Sequence, residues 1–239
     1  MAIVNVKYFS DLVHRNVEYN VIIPEKADVK TTKVVYLLHG LYGNSYSWMI
    51  SGNAVDTAEK YNVIFVMPDG FNSFYVNHKN EHRYYDYISK EVIEHAKSIF
   101  TLSGPWYIAG LSMGGFGALL VGLSNDIFEG IGSFSGAIFP QKAIKDLEMN
   151  FLTDVYESIN KEYDLLTILE NKTKYNKFIY MYCGKDDSLY QMNYDFSRVL
   201  PRYCDNFIFE SDDGTHSWEM WSKRLEFFLE KIKLLTNKK

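Results

Sequence analysis

The pentapeptide Gly110-Leu111-Ser112-Met113-Gly114 constrains this chain more than any other stretch. A short apolar run, 106–109, precedes it, and a stretch of helical character, 115–123, follows. A Gly-x-Ser-x-Gly set between a strand and a helix is a nucleophile elbow, a turn so tight that the serine hydroxyl stands clear of the sheet. The turn brings backbone from both sides close together, and glycine at 110 and 114 avoids the clash a Cβ would make. The helix after it aims its N-terminus at the site, which favours developing negative charge. Five residues also match by chance, so the rest of the chain decides whether the elbow has partners.

The flanking pattern supplies a sheet. Runs at 4–9 and 17–23, joined by a polar turn, read as an antiparallel hairpin. Residues 34–38 are continuously apolar, as expected of a strand buried on both faces of a parallel sheet. Further strands are expected at 63–67, 106–110, 130–134, 178–183 and 206–210. Helices are expected at 54–61, 84–100, 190–200 and 217–235. In the second of these, Ile88, Val92, Ala96 and Ile99 recur at helical spacing. Alternation of strand and helix predicts an α/β chain with a mostly parallel, eight-stranded sheet and helices on both faces. No repeat or interdomain linker is visible, so residues 1–239 read as a single domain. The irregular stretch 139–177 is expected to contain helices, one of them at 165–171, and its part 139–173 to form a small cap. Ligands of such sheets bind beyond the carboxyl ends of the strands, where the polar motifs of this chain fall.

Composition narrows the partners. The net charge is −5 with no block of like charges, which argues against nucleic acid or an anionic membrane surface. No apolar run approaches the ~20 residues that span a bilayer, and the first residues lack a signal-peptide pattern. A cytoplasmic protein is expected, compatible with a homo-oligomer. Cys183 and Cys204 form no C-x-x-C pair and read as structural thiols.

A serine hydroxyl needs a base, and the base needs a carboxylate to fix its tautomer. Behind an elbow of this kind the chain order is Ser, then Asp or Glu, then His. Of the six histidines only His216 follows the elbow, in the turn Asp213-Gly214-Thr215-His216. The acid belongs after the strand ending at Cys183, where Asp186 and Asp187 compete. Their type does not separate them, and Glu210 and Asp212 are weaker candidates. A tetrahedral intermediate needs two backbone N–H donors. Met113, after the nucleophile, supplies one. Leu41, in the glycine-bearing turn after the third strand, is expected to supply the other, with Tyr42 second. His39 is expected to hold that turn together by a hydrogen bond.

These residues resemble the esterase D-type α/β-hydrolases, and within them the small bacterial tributyrin esterases. Leu37-Leu38-His39-Gly40-Leu41-Tyr42-Gly43-Asn44 followed by Trp48 is similar to the family's oxyanion loop, and Gly110 to Gly115 to its elbow. Cys183 to Tyr190 resembles a segment whose acid lies three residues after the glycine, which selects Asp187. Gly214 to Trp218 with Trp221 resembles its histidine turn. The resemblance implies an α/β-hydrolase fold and hydrolysis of short-chain acyl esters through Ser112, Asp187 and His216. It implies no metal or organic cofactor, a small-molecule ester as partner, and Trp48 and Tyr42 beside the substrate. Its members also include S-formylglutathione hydrolases, feruloyl and carbohydrate acetyl esterases, and acyltransferases. Where the family often has an aromatic residue after the acid, this chain has Ser188.

Two other readings compete. His78-Lys79-Asn80-Glu81-His82 spells H-x-x-E-H, a zinc-protease motif, but lies in a polar stretch without helical periodicity or an evident third ligand. A non-catalytic protein on the same fold would normally lack the nucleophile, acid or base, and none is missing.

Overall fold

The computed structural model describes residues 1–146 and 148–236, with side chains to Leu234. One eight-stranded sheet runs through it in the order β1-β2-β4-β3-β5-β6-β7-β8. The strands are β1 (Ala2–Ser10), β2 (Arg15–Ile23), β3 (Val34–Leu38), β4 (Ile64–Pro68), β5 (Trp106–Leu111), β6 (Phe128–Phe134), β7 (Phe178–Tyr182) and β8 (Phe207–Glu210). β1 and β2 form the expected hairpin, and β2 joins β4 antiparallel. Every pairing from β4 through β8 is parallel. β3, β4 and β5 are buried at every residue, as their uninterrupted apolar sequences require.

The chain leaves β3 for β4 on one side and returns to β5 on the other. This reversal leaves a crevice at the carboxyl ends of β3 and β5, where ligands of open α/β sheets bind. The elbow helix, Met113–Ser124, is buried at all but its last residue, because it is covered by the sheet on one side and by the helix Leu165–Glu170 on another. It therefore lacks the polar stripe of a surface helix. The closing helix, Trp218–Thr236, packs Trp221, Leu225, Phe228 and Ile232 into the core on the opposite face. The Leu235 side chain and residues 237–239, also part of the expected helix face and domain, lie outside what is described.

The sequence predicts one regular helix over 84–100. The structure has a π-turn at Tyr87–Glu91 between Tyr84–Asp86 and Val92–Phe100. Two side chains account for it by taking helix carbonyls. The Tyr36 hydroxyl donates to Ile88 O at 3.0 Å, and Asn125 Nδ2 donates to Ser89 O at 3.0 Å. Ile88, Val92 and Ala96 are buried as expected, whereas Ile99 is exposed. Residues 139–173 contain the helices Pro140–Asp146, Thr153–Ser158 and Leu165–Glu170. Among the described residues, no helix is long and apolar enough to cross a membrane.

Candidate active site

Ser112 stands between the end of β5 and the first turn of the elbow helix, at φ 53° and ψ −118°. A non-glycine residue in that region is strained, at a cost of about 1–3 kcal/mol. Backbone hydrogen bonds hold it there. Ser112 N–H donates to Phe134 O at 2.9 Å, and Ser112 O accepts from the amides of Gly115, Phe116 and Ala137. The flanking glycines are needed for close approach. A Cβ on Gly110 would overlap the Gly114 carbonyl, and one on Gly114 would stand 2.5 Å from the carbonyl oxygens of Leu38 and His39.

The turn after β8 brings His216 over the elbow. Ser112 Oγ lies 3.0 Å from His216 Nε2, and His216 Nδ1 lies 2.8 Å from Asp187 Oδ2. An ionised carboxylate only accepts, so Nδ1 carries the hydrogen, and Nε2 is left to accept from the serine hydroxyl. Asp187 and Asp186 are adjacent but point apart. The Asp187 side chain is fully buried, while Asp186 is exposed. Burial alone would raise the Asp187 pKa. The neighbouring His216, the Leu189 amide donating to Oδ1 at 2.9 Å and the Ser135 hydroxyl outweigh it and hold the carboxyl below its ordinary range.

On the β3 side, His39 is buried and bonds at both ring nitrogens. Its Nδ1 donates to Gly40 O at 2.7 Å, and its Nε2 accepts from Gly70 N–H at 2.9 Å. Because Nε2 already accepts, the 3.5 Å approach of Asp69 is not an ion pair. His39 is the turn-holding residue the sequence suggests. Tyr42 N–H is committed to Asn72 Oδ1 at 2.8 Å. Among the described residues, neither Leu41 N–H nor Met113 N–H donates to an internal acceptor, and both residues line the same cavity as Ser112. Trp48 does not occupy the substrate-facing position expected of it. It is buried, its Nε1 donates to Leu38 O at 3.0 Å, and its ring packs edge-on against Trp218. Trp218 lines the cavity and Trp48 lies behind it; Tyr42 is exposed at the rim.

The cavity has a volume of about 610 Å³ and contains both Ser112 and His216. The H-x-x-E-H stretch lies apart from it, in a loop closed by His78 N–H donating to His82 O. His78 Nε2 is bonded to Ser73 O. Among the described residues, no group of three His, Cys, Asp or Glu is placed to hold a metal ion.

Comparison with known proteins gives this geometry a family. A family model described as "Putative esterase" matches residues 10–231. The chain belongs to this esterase family. An acetyl esterase of Caldicellulosiruptor saccharolyticus is 32% identical, over 93% of this chain and 95% of that protein. Two Staphylococcus aureus structures are similar over 96% of this chain and 97% of theirs. The fluorophosphonate-binding serine hydrolase FphF superposes with a TM-score of 0.84 at 29% identity, and the S-formylglutathione hydrolase FrmB with 0.83 at 28%. The fold is the α/β-hydrolase fold, and this esterase is a carboxylic ester hydrolase.

Two residues that support the site in the esterase are not singled out by its sequence. Asn193 is fully buried, and its Nδ2 donates to Gly136 O and Leu189 O, each at 2.8 Å. It ties the loop after β6 to the loop that carries Asp187. Ser135, at φ 48° and fully buried, accepts from Trp221 Nε1 at 3.1 Å. Trp221 in turn packs edge-on against the His216 ring, with centroids 4.7 Å apart. The one sequence signal for Ser135 is its place, directly after a buried strand next to the elbow strand. Cys183 lies beside Asp187, and burial and that carboxylate push its thiol pKa far up, consistent with a structural role.

Proposed function

We propose that this esterase hydrolyses short-chain acyl esters with Ser112 as nucleophile, His216 as general base and acid, and Asp187 as the carboxylate that orients it. The unbroken hydrogen-bonded path from Ser112 Oγ through the His216 ring to Asp187 Oδ2 carries this reading. In acylation the Ser112 proton passes to His216 Nε2 as Oγ bonds to the ester carbonyl carbon. The carbonyl oxygen becomes an oxyanion, and the Leu41 and Met113 amides donate to it at the N-terminus of the elbow helix. The oxyanion then collapses, the bond to the alcohol oxygen breaks, and the alcohol leaves with the proton from His216. Water repeats the sequence, releasing the acid and restoring Ser112. The bare amides of Leu41 and Met113, against the engaged amide of Tyr42, favour Leu41 as the second donor.

Residues 139–173 serve as a small cap, since Ala143 and Met149 reach the cavity wall. The described acetyl esterase relative supports a small acyl group. The test is a p-nitrophenyl ester series with tributyrin beside it. Acetate and butyrate should turn over faster than long-chain esters, and Ser112→Ala should abolish turnover. A long-chain optimum would overturn the acyl-length reading, and an unchanged rate in Ser112→Ala would overturn the mechanism.

A further inference from the structure

The cavity straddles the carboxyl edge of the sheet and has two unlike sides. On the face covered by the larger core, its wall is Phe74, Met113, Ala137, Ala143 and Met149, all apolar and packed in that core. The rest of the lining includes Asn44, Ser47, Ser51 and Ser217, together with Ile50 and Trp218. There Ser51 and Ser217 are not wholly buried, and among the described residues their hydroxyls make no internal hydrogen bond.

The proposed chemistry assigns the two sides. His216 Nε2 must protonate the departing oxygen, and Ser217 and Trp218 continue the same turn as His216. The leaving alcohol therefore lies on the hydroxyl-lined side. The acyl chain, directed away from it across the carbonyl carbon, enters the apolar side.

Charge is the distinguishing property. Among the described residues lining the cavity there is no Lys, Arg, Asp or Glu. The loop 184–189, which carries Asp187, and the segment 211–219, which carries His216 and enters the closing helix, hold Asp186, Asp187, Asp212, Asp213 and Glu219. Among the described residues, the cations nearest to these carboxylates in sequence are paired: Lys185 faces Asp213, Lys223 faces Glu219 and Arg224 faces Asp212. An anionic leaving group would meet no cationic side chain among the described residues lining the cavity, beside a net excess of carboxylates. Serine hydroxyls can solvate a neutral polar group there but cannot neutralise an anion.

We infer that the hydroxyl-lined side selects leaving alcohols and thiols without net negative charge, so that neutral esters are substrates and anionic thioesters such as those of glutathione are poor ones. This rests on the proposed esterase chemistry. The pair 4-acetoxybenzamide and 4-acetoxybenzoate tests it, since the two share an acyl group and nearly the same size and differ by one negative charge. The amide should have kcat/KM about ten-fold or more above the carboxylate. Adding a cation at the rim, Ser51→Lys, should raise the carboxylate-to-amide ratio of kcat/KM several-fold, with the gain shrinking as salt is added. Equal rates for the two substrates in the natural enzyme, or an unmoved ratio in Ser51→Lys, would overturn the charge selection. Failure to hydrolyse either substrate would instead overturn the esterase chemistry beneath it.

Discussion

Replacing Asp187 with asparagine changes few atoms and should nearly abolish activity. Oδ1 of Asp187 accepts from Leu189 N–H at 2.9 Å, and Oδ2 receives His216 Nδ1–H at 2.8 Å. An asparagine keeps the first bond only by turning its carbonyl oxygen to Leu189. Its Nδ2 then faces His216 and presents hydrogens. The imidazole must answer with a bare Nδ1, which puts its proton on Nε2, toward Ser112. Nε2 can no longer accept the serine proton. In the serine-protease triad the same inversion costs about 10⁴ in kcat, or about 5.5 kcal/mol of barrier. Asp187→Asn should fall by a similar factor on p-nitrophenyl acetate, after subtraction of spontaneous hydrolysis. The new amide is hydrogen-bonded on both sides, so the variant should stay folded by circular dichroism. Asp186 is exposed, and its backbone amide, which donates to Gly214 O, survives substitution. Asp186→Asn should stay within about two-fold, as surface changes usually do. The reasoning is refuted if Asp186→Asn loses more than Asp187→Asn, or if Asp187→Asn keeps more than about a tenth of the rate.

Three further outcomes follow from the same structure. Against the opposing effect of burial, Asp187 is held below the ordinary carboxylate range by its hydrogen bonds to His216 and the Leu189 amide, so its contribution to stability is present at neutral pH and is lost as the pH falls through that lowered value; the stability difference between the natural enzyme and Asp187→Asn should shrink on acidification, and a difference that does not change with pH contradicts the shift. Lys177 Nζ donates to Gly122 O and Asn125 O at the far end of the elbow helix, so Lys177→Met should lower stability by about 1–3 kcal/mol in urea unfolding. Burial pushes the Lys177 ammonium down to about 8 from 10.5; the unfolded chain then holds that proton more tightly, natural-enzyme stability rises with pH across this window, and the deficit of the variant should widen from pH 7 to pH 9.5, whereas a constant deficit argues against the shift. Ala143→Phe, on the apolar wall, should cut kcat/KM for butyrate about ten-fold or more while sparing acetate, and equal losses on both would place the acyl chain elsewhere.

Much of the fold is legible in the sequence because most strands are buried on both faces. β3 and β4 spell their burial directly, and the polar residues between elements mark the turns. Ser112 and His216 are legible through chain order, since one histidine follows the elbow. The acid is legible only to the pair Asp186 and Asp187. Which of them turns inward depends on the loop after β7, where the Leu189 amide and Asn193 act, and no residue type encodes that. Trp48 misled for a related reason. An aromatic residue beside an oxyanion loop looks substrate-facing, yet its indole N–H has a buried partner in the Leu38 carbonyl. The π-turn was illegible because its causes, Tyr36 and Asn125, lie far away in sequence. Of the short helices in 139–173, Leu165–Glu170 is legible in the sequence, whereas Pro140–Asp146 and Thr153–Ser158 carry too few turns for a hydrophobic period to register.

Covalent labelling of Ser112 tests the central claim most directly. A fluorophosphonate phosphonylates a serine only where a base activates the hydroxyl and an oxyanion site receives the phosphoryl oxygen. One equivalent should abolish esterase activity, and peptide mass spectrometry should place the adduct on the peptide containing Ser112. Labelling should be absent in Ser112→Ala and strongly slowed in His216→Ala. Stoichiometric labelling at another residue, or full activity with Ser112 modified, would contradict the account.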